Sequence, residues 1–282
     1  MGTNDINVVS EKNAWGDKTH AKVFDYLHPM PGFIVKKHYE SFNEGRLLRM
    51  FENDIHGNIF FEIGCATGEL SRYISGFQTR FKYYGFDISD PAIARAKQKY
   101  PMGNFHKVTD GFEEIIQTFG HPDVVWCRDV VMHQELPYVF LDNLINLSNE
   151  VVILRLRTRD VGETITDPEL SCQLHWDKFW VPYIVLNTDE MIQEIEAHQD
   201  VKKIVISRHY EVLGGHNFRF LPKELFFSYS GTAETAVYIQ KGSRKDASAE
   251  VSFMDQPDRP KYGIIERIIR KCFSELRARR DK

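Results

Sequence analysis

The sequence lacks the features that mark membrane-spanning, secreted or metal-stabilised chains. It contains no run of about 18 apolar residues, so we expect no transmembrane helix. Its first residues, "MGTNDINVVSEKNAWGDK", lack the basic start and apolar stretch of a secretory signal. The cysteines lie far apart without a CxxC pair, which argues against a zinc site or a disulfide framework and fits a reducing cytoplasm. They are Cys65, Cys127, Cys172 and Cys272.

Positive charge is scarce in most of the chain. The 282 residues carry a net charge of −4, yet residues 258–282 hold nine Lys/Arg against four Asp/Glu. This local +5 leaves −9 for residues 1–257. An acidic body is poorly suited to the phosphate backbone of a long nucleic acid, so we expect no such partner.

Strands and helices alternate through the central part of the chain. Helical patterns cover 90–100, 111–119 and 135–147, the first with Asp90 as N-cap and Pro91 behind it. Apolar runs predict strands at 59–63, 81–88, 104–109, 123–127 and 150–157. This alternation predicts an α/β fold, with a mostly parallel sheet and helices on both faces.

The pattern changes after the fifth strand. A helix returns at 188–198 with Thr188 as N-cap, and strands at 202–212 and 233–240 are expected to form an antiparallel edge pair. The remaining boundaries that we predict are an aromatic insertion at 158–187, a polar linker at 243–262 and a basic amphipathic helix at 263–282. That helix is suited to packing on the domain, to a homodimer contact, or to a peripheral membrane contact.

The stretch "NIFFEIGCATGELSRYI" (58–74) leads from a buried strand through a glycine-rich turn into a helix. Gly64 and Gly68 allow a sharp bend and a close approach of a ligand to the backbone. In an open parallel sheet, ligands bind at the carboxyl ends of the strands, where this turn lies. Asp87 ends the next strand, where a carboxylate suits a ribose diol, and Asp110 follows the third strand, where it suits an adenine amino group.

Two nucleotide ligands are possible at the turn, a dinucleotide or an amine-bearing nucleotide. The pyrophosphate of a dinucleotide needs the spacing G-x-G-x-x-G, whereas the turn has E-x-G-x-x-x-G. Glu62 suits an amine-bearing ligand instead. A purely structural interpretation is that the glycines only close a tight turn. The acidic residues at successive strand ends favour a ligand site.

Four stretches together resemble the class I, Rossmann-like S-adenosylmethionine-dependent methyltransferases: "FFEIGCATGELSRYI", "YYGFDIS", "KVTDGF" and "DVVWCRDVVMHQ". The resemblance covers about residues 45–240. It implies a mostly parallel seven-stranded sheet with an antiparallel last strand, in a methyltransferase domain at 51–242. It also implies S-adenosylmethionine as cofactor and S-adenosylhomocysteine as product. Residues 1–50 would form a helical lid over the cofactor, with Trp15 and Tyr26 touching it.

The resemblance also assigns roles at the cofactor site. Glu62 would anchor the cofactor amine, and Asp87 would hold the ribose. Alanine at position 66, where the family often has glycine, is a mild departure. The residues that the resemblance places at the cofactor are Glu62, Gly64, Cys65, Ala66, Gly68, Asp87, Ile88, Asp110, Gly111, Cys127 and Arg128.

An oxygen acceptor would need a base, and the segment after the fourth strand, "CRDVVMHQE", offers His133. The alternative is that His133 only packs or caps there. His175 is the second catalytic candidate, and the insertion 158–187 is either a substrate lid or a cover for the sheet edge. The candidate substrate residues are Trp176, Trp180, Tyr183 and His216.

We therefore expect O-methylation of a small molecule or a sugar or glycan by a cytoplasmic enzyme. The alternatives are N-methylation, a nicotinamide-dependent oxidoreductase on a similar sheet, and a non-catalytic cofactor-binding regulator. A magnesium-assisted variant would use Asp129 and Asp160, but no further oxygen ligand is evident beside Asp160.

Overall fold

Five parallel strands form the centre of the molecule, as the apolar runs predict. In the computed structural model they are β1 (Ile59–Ile63), β2 (Lys82–Asp87), β3 (Asn104–Lys107), β4 (Val124–Arg128) and β5 (Val151–Arg159), in the spatial order β5-β4-β1-β2-β3. The chain runs outward from β1 to β3 and then returns to β4 on the other side of β1. The carboxyl ends of β1 and β4 therefore flank the point where strand order reverses, which is where open sheets bind ligands.

The structure describes residues 14–16, 30–77, 81–175, 179–210, 220–222, 231–244 and 246–255. The helices in these ranges are α1 (Gly32–Glu40), α2 (Asn43–Met50), α3 (Leu70–Ile74), α4 (Asp90–Lys99), α5 (Phe112–Phe119), α6 (Pro137–Leu147) and α7 (Thr188–Ala197). Within this part of the chain, no helix is long and apolar enough to cross a membrane. The predicted helix 263–282 lies outside the described residues.

Two apolar layers hold the sheet between helices. One layer joins α1–α4 to sheet residues such as Phe60 and Trp126, and both of these side chains are fully buried. The other joins α5–α7 to the opposite face, through residues such as Phe61 and Val125. Because consecutive residues of β1 and β4 are buried on both faces, these strands are apolar without alternation. The predicted fold class is confirmed.

The second half of the sheet is larger than predicted. Strands β9 (Val201–His209) and β11 (Thr232–Lys241) are antiparallel, with β11 between β5 and β9. A further strand, β12 (Glu250–Phe253), pairs in parallel with β9 and forms the edge. With β8 (Leu186–Asn187) beside β5, the described part of the chain contributes nine strands to this sheet rather than the predicted seven. The predicted linker 243–262 is therefore wrong at 250–253, and β9 and β11 are not an edge pair.

Two strands of the aromatic insertion and one strand from outside it form a second, small sheet. Its antiparallel strands are β6 (Cys172–His175), β7 (Phe179–Pro182) and β10 (Phe220–Leu221), in the order β10-β6-β7. Trp180 lies in β7, opposite Leu174. Because β5 continues to Arg159, the predicted boundary at residue 158 falls inside a strand.

Two predicted helix caps are wrong by one residue. Ser89, not Asp90, is the N-cap of α4, and its hydroxyl accepts from the Ala92 N–H at 3.4 Å. Asn187, not Thr188, is the N-cap of α7, where its side chain accepts from the N–H groups of the second and third helical residues at 2.9 and 3.0 Å. A cap side chain accepts from N–H groups two or three residues ahead of it in the chain. Ser89 and Asn187 have this spacing to the N–H groups that they bond.

Candidate active site

The turn after β1 has a backbone that excludes side chains. Gly64 and Gly68 have φ values of +82° and +80°, a region that L-residues with side chains rarely adopt. A Cβ at Gly64 would lie 2.3 Å from Val130 Cγ2, and one at Gly68 would lie 2.5 Å from the Phe105 ring. The N–H groups of Gly64 and Cys65 donate to the Phe86 carbonyl at 2.8 and 2.9 Å. These bonds hold the turn of residues 64–68, the glycine corner, against β2.

Ala66 lies inside this corner with φ of +45°. Its N–H donates to Asp87 Oδ2 at 2.8 Å. Alanine in the left-handed region costs about 1–2 kcal/mol, whereas glycine adopts it freely. Alanine in place of the family's glycine therefore strains the backbone at this position. The hydrogen bond to Asp87 helps to stabilise the strained conformation.

Asp87 ends β2 in a fixed orientation. Its Oδ1 accepts from the Ser89 N–H at 2.8 Å, and its Oδ2 accepts from Ala66. Burial raises the pKa of Asp87, while the backbone bonds from Ser89, Ala66 and Ile88 oppose the rise. A carboxylate has about four acceptor positions, so these backbone bonds leave capacity for a ligand hydroxyl. Ile88, directly after Asp87, is exposed.

Glu62 lies buried beside this carboxylate at the end of β1. Its Oε2 accepts a hydrogen bond from the Tyr83 hydroxyl. Burial raises the pKa of Glu62 to about 8, with Tyr83 and Arg128 opposing the rise and Asp87 adding to it. An ammonium group placed beside this carboxyl would favour its ionised form, which is the behaviour expected of an amine anchor.

Asp110 and Gly111 lie in the loop between β3 and α5, and both are exposed. Glu114 accepts from the N–H groups of Thr109 and Asp110 at 2.9 and 3.0 Å, which fixes the loop backbone at the start of α5. These contacts leave the position of an adenine undetermined, so the role of Asp110 stays a prediction.

Cys127 does not line an open cleft. It is fully buried in the second apolar layer, and burial raises the pKa of its thiol. The side chain of Cys127 therefore packs in the core, and the predicted place of Cys127 at the far side of the cofactor stays a prediction. Cys65 is also buried, so only its backbone is available to a ligand.

A cluster of paired charges lies at the carboxyl-terminal parts of β4 and β5. Arg128 Nε lies 3.1 Å from Glu44 Oε1, and Glu44 itself is 1% exposed. Asp129, with φ of +56°, accepts from Arg155 and, at 3.3 Å, from Arg157 Nη1. Arg155 and Arg157 follow four apolar residues in β5. This pattern could have indicated a polar site at the end of the strand, but no prediction was drawn from it.

The carboxylates considered for magnesium are bonded to cationic side chains. Asp129 is paired with Arg155, and Asp160 accepts from Arg208 at 2.8 Å and from Thr188 Oγ1 at 2.9 Å. A metal would have to displace these donors. Among the residues that the structure describes, no group of three His, Cys, Asp or Glu could hold a metal ion.

His133 ends a short 3₁₀ turn, Val131–His133, directly after β4. Its Nδ1 lies 2.8 Å from the Pro182 carbonyl oxygen. A carbonyl only accepts, so Nδ1 carries the hydrogen and the lone pair of the neutral imidazole lies on Nε2. The His133 N–H bonds to Val130 O at 2.9 Å, which places the turn beside the residue that touches Gly64.

Both predicted catalytic histidines contact the same tryptophan. The Trp15 ring centroid lies 4.8 Å from that of His133 and 4.5 Å from that of His175. Tyr183, a predicted substrate residue, has its ring 6.0 Å from His133. Trp15 thus joins the two histidines, a contact between distant segments that the sequence did not predict. Its predicted contact with the cofactor stays a prediction. Tyr26, Trp176 and His216 lie outside the described residues.

Solved structures share this fold at low sequence identity. The N-terminal domain of EvdMO1, solved in the presence of SAH and D-fucose, is 14% identical with a TM-score of 0.50, covering 70% of this chain and 82% of that one. The plantazolicin methyltransferase BpumL, solved in complex with SAH, is 18% identical with a TM-score of 0.48, covering 82% of this chain and 93% of that one.

Sequence comparison supplies the family. A curated protein of Invertebrate iridescent virus 6, "Putative methyltransferase 235L", is 23% identical over 122 residues, which are 43% of this chain and 46% of that protein. This chain therefore covers less than half of that relative's length. A family model described as "Methyltransferase domain" matches residues 35–199, more than half of the chain. The chain belongs to this methyltransferase family, as the resemblance of its four motifs predicts.

Proposed function

We propose that this protein transfers the methyl group of S-adenosylmethionine to a hydroxyl oxygen of a small molecule, a sugar or a glycan. The observation that carries the proposal is the fixed imidazole of His133. Its Nδ1–H is held by the Pro182 carbonyl, so the neutral ring can accept a proton only at Nε2. The turn that bears it is bonded to Val130, which touches the glycine corner.

The corner fits the cofactor by the chemistry of its own residues. Glu62 would hold the amino group, and the bare backbone of 64–68 would hold the methionine part. Asp87 would accept from the ribose hydroxyls while Ala66 and Ser89 keep its carboxylate oriented. When bound, S-adenosylmethionine supplies an electrophilic methyl carbon on a positively charged sulfur.

The chain then has two tasks, alignment and proton removal. Alignment and exclusion of water lower the barrier by positioning the acceptor. A hydroxyl is a weak nucleophile, and a positioned base contributes about 10²–10⁴-fold. His133 Nε2 would take the hydroxyl proton while the acceptor oxygen receives the methyl group that S-adenosylmethionine supplies. The products would be a methyl ether, S-adenosylhomocysteine and a protonated imidazole.

Methyl-labelled S-adenosylmethionine, incubated with the protein and fractionated cell extracts, would identify the acceptor pool. With that pool, we expect His133→Ala to lower kcat/KM by about 10²–10⁴-fold. Calorimetry with S-adenosylhomocysteine should show unchanged affinity, because His133 lies on the acceptor side.

His121→Ala is the matched control. His121 Nδ1 also lies 3.0 Å from a backbone carbonyl, that of Leu147, but at the opposite end of β4. It should keep full activity. Unchanged turnover in His133→Ala would remove His133 from the proposed role. A labelled product with the methyl group on nitrogen would replace O-methylation by N-methylation.

A further inference from the structure

The Tyr83 hydroxyl reaches from β2 to the carboxyl of Glu62 on β1. The two strands pair in parallel, with Tyr83 opposite Phe60 and Gly85 opposite Glu62. Tyr83 donates a hydrogen bond to Glu62 Oε2, and the two residues are only 8% and 7% exposed. A buried hydrogen bond is stronger than an exposed one, because water competes less for its donor and acceptor. The carboxyl of Glu62 is therefore held from the neighbouring strand.

Gly85 leaves room for this hydrogen bond. A Cβ at Gly85 would lie 2.8 Å from Tyr83 Oη and 2.9 Å from Cys65 Cβ. Gly85 does not have a positive φ, so its backbone conformation does not require glycine. Glycine inside a strand weakens the strand and often marks a close approach of neighbouring groups. Here the groups that approach are the tyrosine hydroxyl and the first side chain after Gly64.

The Tyr83 ring is held in place by two other aromatic rings. Its centroid lies 6.2 Å from that of Phe60 on β1 and 5.9 Å from that of Phe105 on β3. Phe105 also borders the glycine corner, since a Cβ at Gly68 would lie 2.5 Å from its ring. The packing of these rings fixes the direction of the tyrosine hydroxyl. The bond to Glu62 is thus part of the packed structure that borders the corner.

The charge of Glu62 also depends on the groups around it. Burial raises its pKa to about 8; Arg128 on β4 opposes this rise, and Asp87 on β2 adds to it. Two thiols lie near the carboxyl, those of Cys65 and Cys127. Burial raises the pKa of both thiols and the charge of Glu62 raises it further, so both stay neutral. The carboxyl therefore changes its charge in the neutral to mildly alkaline range.

Among the residues that the structure describes, Tyr83 is the one hydrogen-bond donor to this carboxyl. We propose that Tyr83 is a positioning residue of the cofactor site, which holds Glu62 in the charged form that binds the amino group of S-adenosylmethionine. This rests on the role proposed above for Glu62. A hydroxyl that donates to a carboxylate stabilises the ionised form, and its bond to Oε2 leaves Oε1 for the ammonium group.

The test is calorimetry of S-adenosylhomocysteine binding to the wild type and to Tyr83→Phe between pH 6 and pH 9. Loss of a hydrogen bond to a charged group should raise the Glu62 pKa by about one unit. From a wild-type value of about 8, this shift predicts an affinity loss of about tenfold at pH 7. The loss should narrow to about twofold at pH 9, where much of the carboxyl is ionised in both proteins.

Three controls separate this role from a purely structural one. 5′-Methylthioadenosine contains the adenosine and the sulfur of the cofactor but no amino group. Tyr83→Phe should bind it as tightly as the wild type at every pH, which also shows that the variant is folded. Tyr84→Phe removes the hydroxyl of the next residue, which packs against the other apolar layer, and it should bind S-adenosylhomocysteine as the wild type does. In Glu62→Gln, adding Tyr83→Phe should cause no pH-dependent loss, because the charge is already absent.

The outcomes separate the role of Tyr83 from that of Glu62. Wild-type affinity in Tyr83→Phe, a loss that does not change with pH, or an equal loss for 5′-methylthioadenosine would overturn the role of Tyr83. Glu62 keeps its role in those cases if Glu62→Gln removes the pH dependence of the wild type. A wild type whose affinity does not vary with pH would overturn both roles, while methyl transfer is measured separately with the labelled cofactor.

Discussion

The contact between Gly64 and Val130 makes the glycine corner testable with two substitutions. A Cβ at Gly64 would lie 2.3 Å from Val130 Cγ2 but 3.7 Å from Val130 Cβ. The methyl group of Gly64→Ala therefore clashes with one methyl group of Val130. Val130→Ala removes that methyl group and leaves an ordinary van der Waals distance.

The expected magnitudes follow from the two sources of strain. Placing alanine at a φ of +82° costs about 1–2 kcal/mol, and overpacking adds about 1–3 kcal/mol. Gly64→Ala should thus lower the free energy of unfolding by about 2–5 kcal/mol. Val130→Ala alone removes two methyl groups from a half-buried side chain, at most about 1.6 kcal/mol. In the double variant the clash disappears, so a coupling energy of about 1–3 kcal/mol should remain.

Urea denaturation of the four proteins at 25 °C measures this cycle, with equal m-values as the condition for comparing them. Calorimetry with S-adenosylhomocysteine should show that Gly64→Ala weakens binding and that the second substitution restores part of it. Additive effects on unfolding, within about 0.5 kcal/mol, would refute the contact between the corner and the turn that carries His133.

Four further predictions concern charge and strain. Affinity for S-adenosylhomocysteine should rise with pH up to about 8, where Glu62 becomes ionised, and calorimetry on Glu62→Gln should remove this dependence. Since folding raises the Glu62 pKa from 4.5, the native carboxyl binds its proton more tightly, and stability without ligand should fall as pH rises from 4.5 to about 8. Ala66→Gly should raise the free energy of unfolding by about 1 kcal/mol by relieving a φ of +45°, and a loss in urea denaturation would contradict the strain. Glu44→Gln should lower it by about 3 kcal/mol, because Arg128 and Arg155 then lose a buried carboxylate at 3.1 and 3.6 Å; a loss below about 1 kcal/mol would show that the cluster compensates.

The sequence predicted the elements whose side chains all lie in the same kind of environment. Strand β1, Ile59–Ile63, is apolar on both faces and was predicted with its observed bounds. Gly64 and Gly68 were predicted to bend the chain sharply, and both have positive φ. The resemblance supplied the seven-strand count, which missed β8 and β12. The four residues of β12, Glu-Val-Ser-Phe, gain their strand conformation from pairing with β9, and so short a segment shows no such partner in its own pattern.

The site was predictable in part. The positions of Glu62 and Asp87 at adjacent strand ends follow from strand order, since β1 and β2 pair in parallel. The contacts of Trp15 with His133 and His175 join segments more than 100 residues apart, so they depend on the tertiary fold. The burial of Cys127 could not be separated from a ligand contact by sequence, because residues at the end of a strand face either the core or the cleft.

Calorimetric titration of S-adenosylhomocysteine and of NAD into the wild type and Asp87→Asn distinguishes the proposed cofactor site from a dinucleotide site. We expect one-to-one binding of S-adenosylhomocysteine to the wild type and no binding of NAD. We also expect a loss of about 10–100-fold in affinity for Asp87→Asn, the cost of weakening hydrogen bonds to a charged acceptor. Binding of NAD alone, or equal affinity of both proteins for S-adenosylhomocysteine, would rule out this assignment.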